Sequence, residues 1–192
     1  MIYLASVSPR RQELLRQLGI GFEALPSLIM ERRIPGESPV DYVRRLATEK
    51  ARRVATLVKE QGLPVRPVLG VDTEVVMESE VFGKPRDHAH AVQMLSRLSG
   101  GAHTVLSALC LVLPEGERLA LSESRVYFAP LSHPEIVRYV ATGECDGKAG
   151  GYAIQGAAAG FIARLEGSYS GVMGLPLFEL REVLQQSGME YT

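Results

Sequence analysis

Ser6-Val7-Ser8-Pro9-Arg10-Arg11 is the first run of residues with chemistry in it. A helix starting at Pro9 exposes unpaired backbone N–H groups and the positive end of its macrodipole, both of which favour an anion. Two arginines in that first turn have the wrong sign for helix stability, and a bound phosphate chain would compensate them. Their planar forks match phosphate oxygens, and the hydroxyls of Ser6 and Ser8 add donors. A solvated helix start with a serine cap is the alternative. The second place is Asp72, a carboxylate inside the apolar run PVLGVDTEVVM. Burying it alone would be costly. It therefore belongs at an exposed strand end, in a cleft, or beside a cation. There it can serve as general base to a water or hold Mg²⁺ against phosphate oxygens. A structural ion pair is the alternative. Thr73 offers a hydroxyl, and Glu74 is expected to reach the face of Asp72 only across a bulge or turn.

Two lysines and a third acid extend the pattern. Lys50 falls on the apolar stripe formed by positions 43, 46, 47, 50, 51 and 54 of a helical segment, so it points inward to an acid or anion, or snorkels from the stripe's edge. Lys84, in FGKPRD, suits a rigid arm into a cleft. Glu31, in MERRIPGE, stands in a polar loop bounded by prolines. The run Lys148-Ala149-Gly150-Gly151-Tyr152 leads to Gln155; its backbone can approach a ligand, and the amide of Gln155 can read a base edge. By composition it can equally be a tight turn. His88 and His90 are two apart and share no helix face, which makes them a poor metal pair, while His103 and His133 read as structural. No Ser-His-Asp order, Walker loop or CxxC pattern nominates a covalent nucleophile.

The elements that must position these residues are well punctuated. Residues 2–5 form a short apolar strand. A helix follows from Pro9, with Ser8 as N-cap and Gly19 as terminator. A second helix starts at Ser38 and Pro39 and runs on the apolar stripe. Residues 67–77 read as a β-branched strand and residues 87–100 as a third helix. Residues 103–113 and 118–128 read as strands joined by the turn PEGE. Ser132 and Glu135 form a capping box for a helix that ends near Gly143. A strand near residues 161–165, the loop GSYSGVMGLP and a last helix over 177–186 complete the chain. The expected architecture is a mixed α/β sheet.

At 192 residues, 46% hydrophobic and 22% charged, the chain has enough apolar material for one core and is not intrinsically disordered. With 21 Lys+Arg against 22 Asp+Glu, it lacks the basic excess of a bulk nucleic-acid binder, so anion affinity must be local. No apolar run reaches membrane-span length and no secretory leader is visible, which points to a cytoplasmic protein. Cys110 and Cys145 suggest a reducing compartment, with neither a disulfide framework nor a thiolate metal cluster. Together these residues point to metal-assisted hydrolysis or transfer on a phosphorylated small molecule.

From LASVSPRRQELL through LATEKA, GVDTEVV, GKPRD, MLSRLSGGAHTV, KAGGYAIQG and GSYSGVMGLPL, the chain resembles the Maf family of nucleoside triphosphate pyrophosphatases. The resemblance implies one domain over residues 1–192 in the inosine-triphosphatase-like architecture: an elongated curved sheet flanked by helices, with two lobes around a nucleotide cleft. It implies hydrolysis of a nucleoside triphosphate to monophosphate and pyrophosphate with a divalent cation, Mg²⁺ or Mn²⁺, in a protein that commonly forms homodimers. Asp72 matches the family's general base. Ser8, Arg10, Arg11, Lys50 and Lys84 match its phosphate-handling positions, beside Ser6. Glu31, with Asp72, matches its metal position. Arg10, Thr73 and Gln155 match the positions that set substrate preference, in the combination of the dTTP and UTP branch rather than the 7-methyl-GTP branch. The chain departs from the pattern at Met30, where members place another acid, and in GECDGKAG. A nucleotide-binding regulator of septum formation without catalysis is the competing reading, and a pyrophosphatase for 7-methyl-GTP or other modified nucleotides is the second.

Overall fold

The computed structural model describes residues 1–189. Seven strands make one mixed sheet: β1 (Ile2–Leu4), β2 (Phe22–Ala24), β3 (Val68–Met77), β4 (Glu80–Phe82), β5 (Ala102–Leu113), β6 (Gly116–Phe128) and β7 (Ile162–Glu166). Their order is β2-β1-β3-β5-β6-β7, with β4 also paired to β3. β1 runs parallel to β2 and β3, and all other pairs are antiparallel. The helices are α1 (Pro9–Gln17), α2 (Pro39–Glu60), α3 (His88–Leu98), α4 (His133–Val140), α5 (Tyr169–Met173) and α6 (Leu177–Gln186). None is long and apolar enough to cross a membrane.

Strict alternation along β3 divides the core. Leu69, Val71 and Val75 join Leu109 and Leu111 of β5 in the large cluster that also receives Leu14 and Leu15 of α1 and Leu180 of α6. The opposite face is covered by α2, where Val43, Ala47 and Ala51 meet Leu106, Ala108 and Cys110 of β5. Gly70 lies directly under that helix. A Cβ there would stand 2.1 Å from the Ala47 carbonyl oxygen and 2.6 Å from the Ala51 nitrogen. Backbone cannot yield as a side-chain tip can, so Gly70→Ala should destabilise the fold by about 1–3 kcal/mol or more through overpacking. Urea denaturation checks this, and an unchanged midpoint would contradict so close a helix–strand contact.

Several expectations change in detail. The helix opened by Ser132 and Glu135 ends at Val140, not near Gly143, and continues as turns. The PEGE turn shrinks, because Gly116 and Glu117 already pair with Leu113 and Val112. The loop GSYSGVMGLP contains α5, capped by Ser168, whose hydroxyl accepts from the Gly171 N–H. β2 and β4, three residues each, are too short to show periodicity. The turn from β3 to β4 gives no glycine signal, since Glu78 and Ser79 adopt the left-handed conformation at φ 50° and 68°.

His103 is structural, as expected. Its ring packs edge-on against Phe128 and Tyr152, and Nε2 lies 2.8 Å from the Tyr152 hydroxyl. Burial pushes its pKa down to about 4. A folded pKa below the unfolded one means that protons favour the unfolded chain. The His103 contribution is therefore complete above about pH 6.5 and is lost as pH falls toward 4, with a slope of up to about 1.4 kcal/mol per pH unit. Denaturation curves across that window should flatten in His103→Gln; an identical slope would assign the acid sensitivity elsewhere.

Candidate active site

The geometry of the site begins with where β1 stops. Tyr3 and Leu4 pair with Val68 and Leu69, after which the chain turns away through Ser6 and Ser8 into α1. β4 rejoins β3 only at Val75. Between those points β3 has no neighbour on this side, and a cleft of about 1020 Å³ opens there. This is the crevice beyond the carboxyl end of a strand where open α/β sheets place ligands. Ser6, Ser8, Arg10, Arg11, Glu31, Lys50, Asp72, Thr73, Lys84 and Gln155 all line it.

Asp72 and Lys50 are 4% and 6% exposed. The Lys50 ammonium, on the buried face of α2, donates to Asp72 Oδ1 at 2.6 Å and lies 2.6 Å from Glu31 Oε1. Lys84 donates to Glu31 Oε2 at 2.7 Å. The inward reading of Lys50 is the one observed, and the Glu31 loop is held down from both sides. Glu37 anchors the same loop by accepting from Arg45 of α2 at 2.6 Å. Burial alone would raise Glu31, but Lys50 and Lys84 overcome it and hold that carboxylate at about 2. At Asp72 burial prevails. Its pKa is raised despite Lys50 and Arg11, and its second oxygen, Oδ2, is buried without a hydrogen-bond partner.

Glu74 corrects the sequence reading. β3 is regular through Asp72, Thr73 and Glu74, with no register shift against β5. Residues two apart on a strand share a face, so Glu74 lies beside Asp72 without any bulge. It is 7% exposed, Oε2 has no hydrogen-bond partner, and burial with the nearby charges of Asp72 and Glu31 pushes its pKa up to about 8. The period-two pattern of GVDTEVV was the signal for it.

Thr73 faces the other way. Its hydroxyl lies 2.8 Å from Ser107 Oγ and 3.5 Å from Arg11 Nη2. Arg11 also donates to the Gly174 carbonyl at 2.8 Å and to Ser6 Oγ at 3.2 Å. Ser107 donates to the Gly171 carbonyl at 2.6 Å. The loop around α5 thus fixes Arg11 and Thr73 in one orientation. Ser8 has N-cap backbone geometry, but its hydroxyl caps no amide and no acid sits in the first turn of α1. Arg10 has no hydrogen bond or ion pair among the described residues; burial and the charge of Arg11 lower its pKa. Opposite, the Gly-rich segment brings Lys148 and the exposed Gln155 to the cleft. It is tied to the Lys84 loop by the Gly150 N–H, which donates to the Gly83 carbonyl at 3.1 Å. Gly150 is at φ 69°, and a Cβ there would lie 2.9 Å from Val75 Cγ2.

The family model described as Maf-like protein matches residues 1–187. The chain belongs to the Maf-like protein family. Curated relatives within it include the dTTP/UTP pyrophosphatase of Cupriavidus metallidurans, 48% identical over all of this chain and 98% of that protein. Those of Ralstonia nicotianae and Nitrosospira multiformis are each 49% identical, over 98% of this chain and 94% and 95% of theirs. Among solved structures, "The structure of the Staphylococcus aureus Ham1 protein" compares at TM-score 0.44 and 12% identity, over 67% of this chain and 71% of that one. Each Maf-like motif read from the sequence contributes to the cleft lining, MLSRLSGGAHTV through Val105 alone.

Proposed function

We propose that the chain hydrolyses dTTP and UTP to the monophosphate and pyrophosphate. The observation that carries this reading is Asp72 Oδ2, a buried carboxylate oxygen without a partner, in a cleft whose opposite parts supply Arg10, Arg11, Lys84 and Lys148. The near-full-length likeness to proteins named for that reaction supports the substrate. Asp72 Oδ2 takes a proton from a water as the water's oxygen bonds to the α-phosphorus. The bond from that phosphorus to the oxygen bridging to the β-phosphorus breaks, and pyrophosphate leaves with the electron pair. Lys50 holds Asp72 by Oδ1 and so leaves Oδ2 as the basic atom. A pKa raised toward the working pH suits a general base. Ser6, Ser8 and the free amides of α1 donate to phosphate oxygens, with Arg10, Arg11, Lys50 and Lys84 as the surrounding positive charge.

Glu31 and Asp72, with Glu74 beside them, are hard oxygen donors; with Asp72 Oδ2 kept as the base, Glu74 Oε2 is the other of their oxygens buried without a partner. That set fits Mg²⁺ or Mn²⁺. When bound, such a cation supplies charge neutralisation and Lewis-acid polarisation at phosphate oxygens. A homodimer is the assembly that the resemblance implies, and light scattering on the purified chain reads it.

Base choice falls to Arg10, Thr73 and Gln155. A carboxamide can accept from the N3–H of uracil or thymine while donating to the adjacent O4. The test is pyrophosphate release from a panel of standard and modified triphosphates with Mg²⁺ or Mn²⁺. dTTP and UTP should lead, whereas a lead for 7-methyl-GTP, or binding without release, would refute the proposal. In the same panel Gln155→Glu loses the donor pair and should lower kcat/KM for dTTP and UTP by about tenfold relative to other bases. Unchanged ratios would remove Gln155 from base reading.

A further inference from the structure

Away from the carboxylates of the cleft, His88, Cys145 and Asp146 each bring one ligand atom within 4.8 Å of the other two. His88 is the first residue of α3, and the other two lie in the turns after α4, so 57 residues of sequence separate the imidazole from the thiol. Asp146 Oδ1 stands 3.5 Å from His88 Nε2 and 3.6 Å from Cys145 Sγ. An ion bonded at about 2.3 Å to sulfur and about 2.0 Å to nitrogen and oxygen spaces tetrahedral ligands about 3.3–3.5 Å apart. Both edges therefore already have nearly the length that such an ion requires. His88 and Asp146 are exposed and give an ion access, while the sulfur lies beneath them.

We propose that His88 Nε2, Cys145 Sγ and Asp146 Oδ1 form a second metal site, for a borderline-soft divalent transition ion of the zinc class. A thiolate and an imidazole select such an ion over Mg²⁺ or Ca²⁺, which take oxygen ligands. Three protein ligands leave the fourth position to water, and the thiol proton passes to solvent as the ion binds. The site joins two segments that reach the cleft, for Lys84 precedes His88 by four residues and Lys148 follows Asp146 by two. A bound ion would brace the Lys84 loop against the Gly-rich segment, beside the Gly150–Gly83 hydrogen bond.

Cobalt(II) tests this directly, because cobalt–thiolate bonding absorbs in the near ultraviolet and the cleft lining contains no cysteine. The full chain is titrated with Co²⁺ in excess Mg²⁺, which occupies hard oxygen sites. One equivalent should develop the thiolate band, Zn²⁺ should abolish it by competition, and Cys145→Ser should lack it. Losing a partner that only supports a ligand already costs about 10–100-fold in metal affinity. His88→Ala, an exposed replacement, should therefore weaken binding at least about tenfold. No band in the parent chain, a band that persists in Cys145→Ser, or Co²⁺ affinity unaltered by His88→Ala would each overturn the site.

Discussion

Asp72→Asn should lower kcat by about 10²–10⁴-fold, the range expected when a general base is removed, and leave nucleotide affinity intact or tighter. The replacement keeps the shape of the side chain and an oxygen to accept from Lys50, which holds Asp72 at 2.6 Å. It removes one negative charge facing a polyanionic substrate. What it abolishes is the basicity of Oδ2, the buried oxygen without a partner. The loss corresponds to about 3–5 kcal/mol in the barrier and should fall on kcat rather than KM. Single-turnover pyrophosphate release, with calorimetric binding of a non-hydrolysable triphosphate, separates the two terms. Turnover within a few-fold of the parent enzyme would exclude Asp72 as the base and assign proton acceptance to another group of the cleft.

Lys50→Met should be as severe, for a different reason. Lys50 is the cation hydrogen-bonded to Asp72, and it also bridges Glu31. Glu31 keeps Lys84 as a partner, but Asp72 loses its own. Removing one member of a buried pair costs about 3–5 kcal/mol while the other stays charged. Asp72 avoids part of that cost by keeping a proton. Its pKa is already raised by burial against the pull of Lys50, so without Lys50 it moves higher still. For a carboxyl raised in the folded state, stability is complete below its unfolded value of about 3.9 and falls as pH rises through the folded value. The variant should therefore lose more stability at pH 8 than at pH 5, measured in chelator to exclude cations. The acid limb of its rate–pH profile should move to higher pH. Equal losses at both pH values, with an unmoved limb, would show that Lys50 only packs.

Much of the molecule could be read locally. Pro9 after Ser8, Pro39 after Ser38, and the Ser132–Glu135 box mark helix starts, because capping acts within one turn. The stripe on which Lys50 sits follows from helical spacing, which left an inward or a snorkelling lysine, and the inward one is observed. Asp72 stood out because a charge in an apolar strand needs a reason. The candidate catalytic, phosphate, metal and specificity residues read from the sequence all line one cleft.

Other features depend on where strands begin and end. Glu74 shares the face of Asp72 by simple alternation, yet its burial depends on α2 lying over that face and on Gly70 allowing the helix so close. The cleft exists because β1 leaves β3 at Leu69 and β4 arrives at Val75; the apolar run of β1 is legible in the sequence, but where it stops pairing is not, and β4 carries no pattern of its own. Arg11, Thr73 and Ser107 are drawn together by carbonyls of Gly171 and Gly174, about a hundred residues further along than Thr73. His88 meets Cys145 across 57 positions of sequence. Sequence by itself determined which residues carry charge, where helices start, and which sides of them are apolar, because those properties arise within a turn or two. Tertiary structure alone decided which charges touch, which oxygens lose water, and where the sheet leaves an opening, because these are set by the register and closure of distant segments.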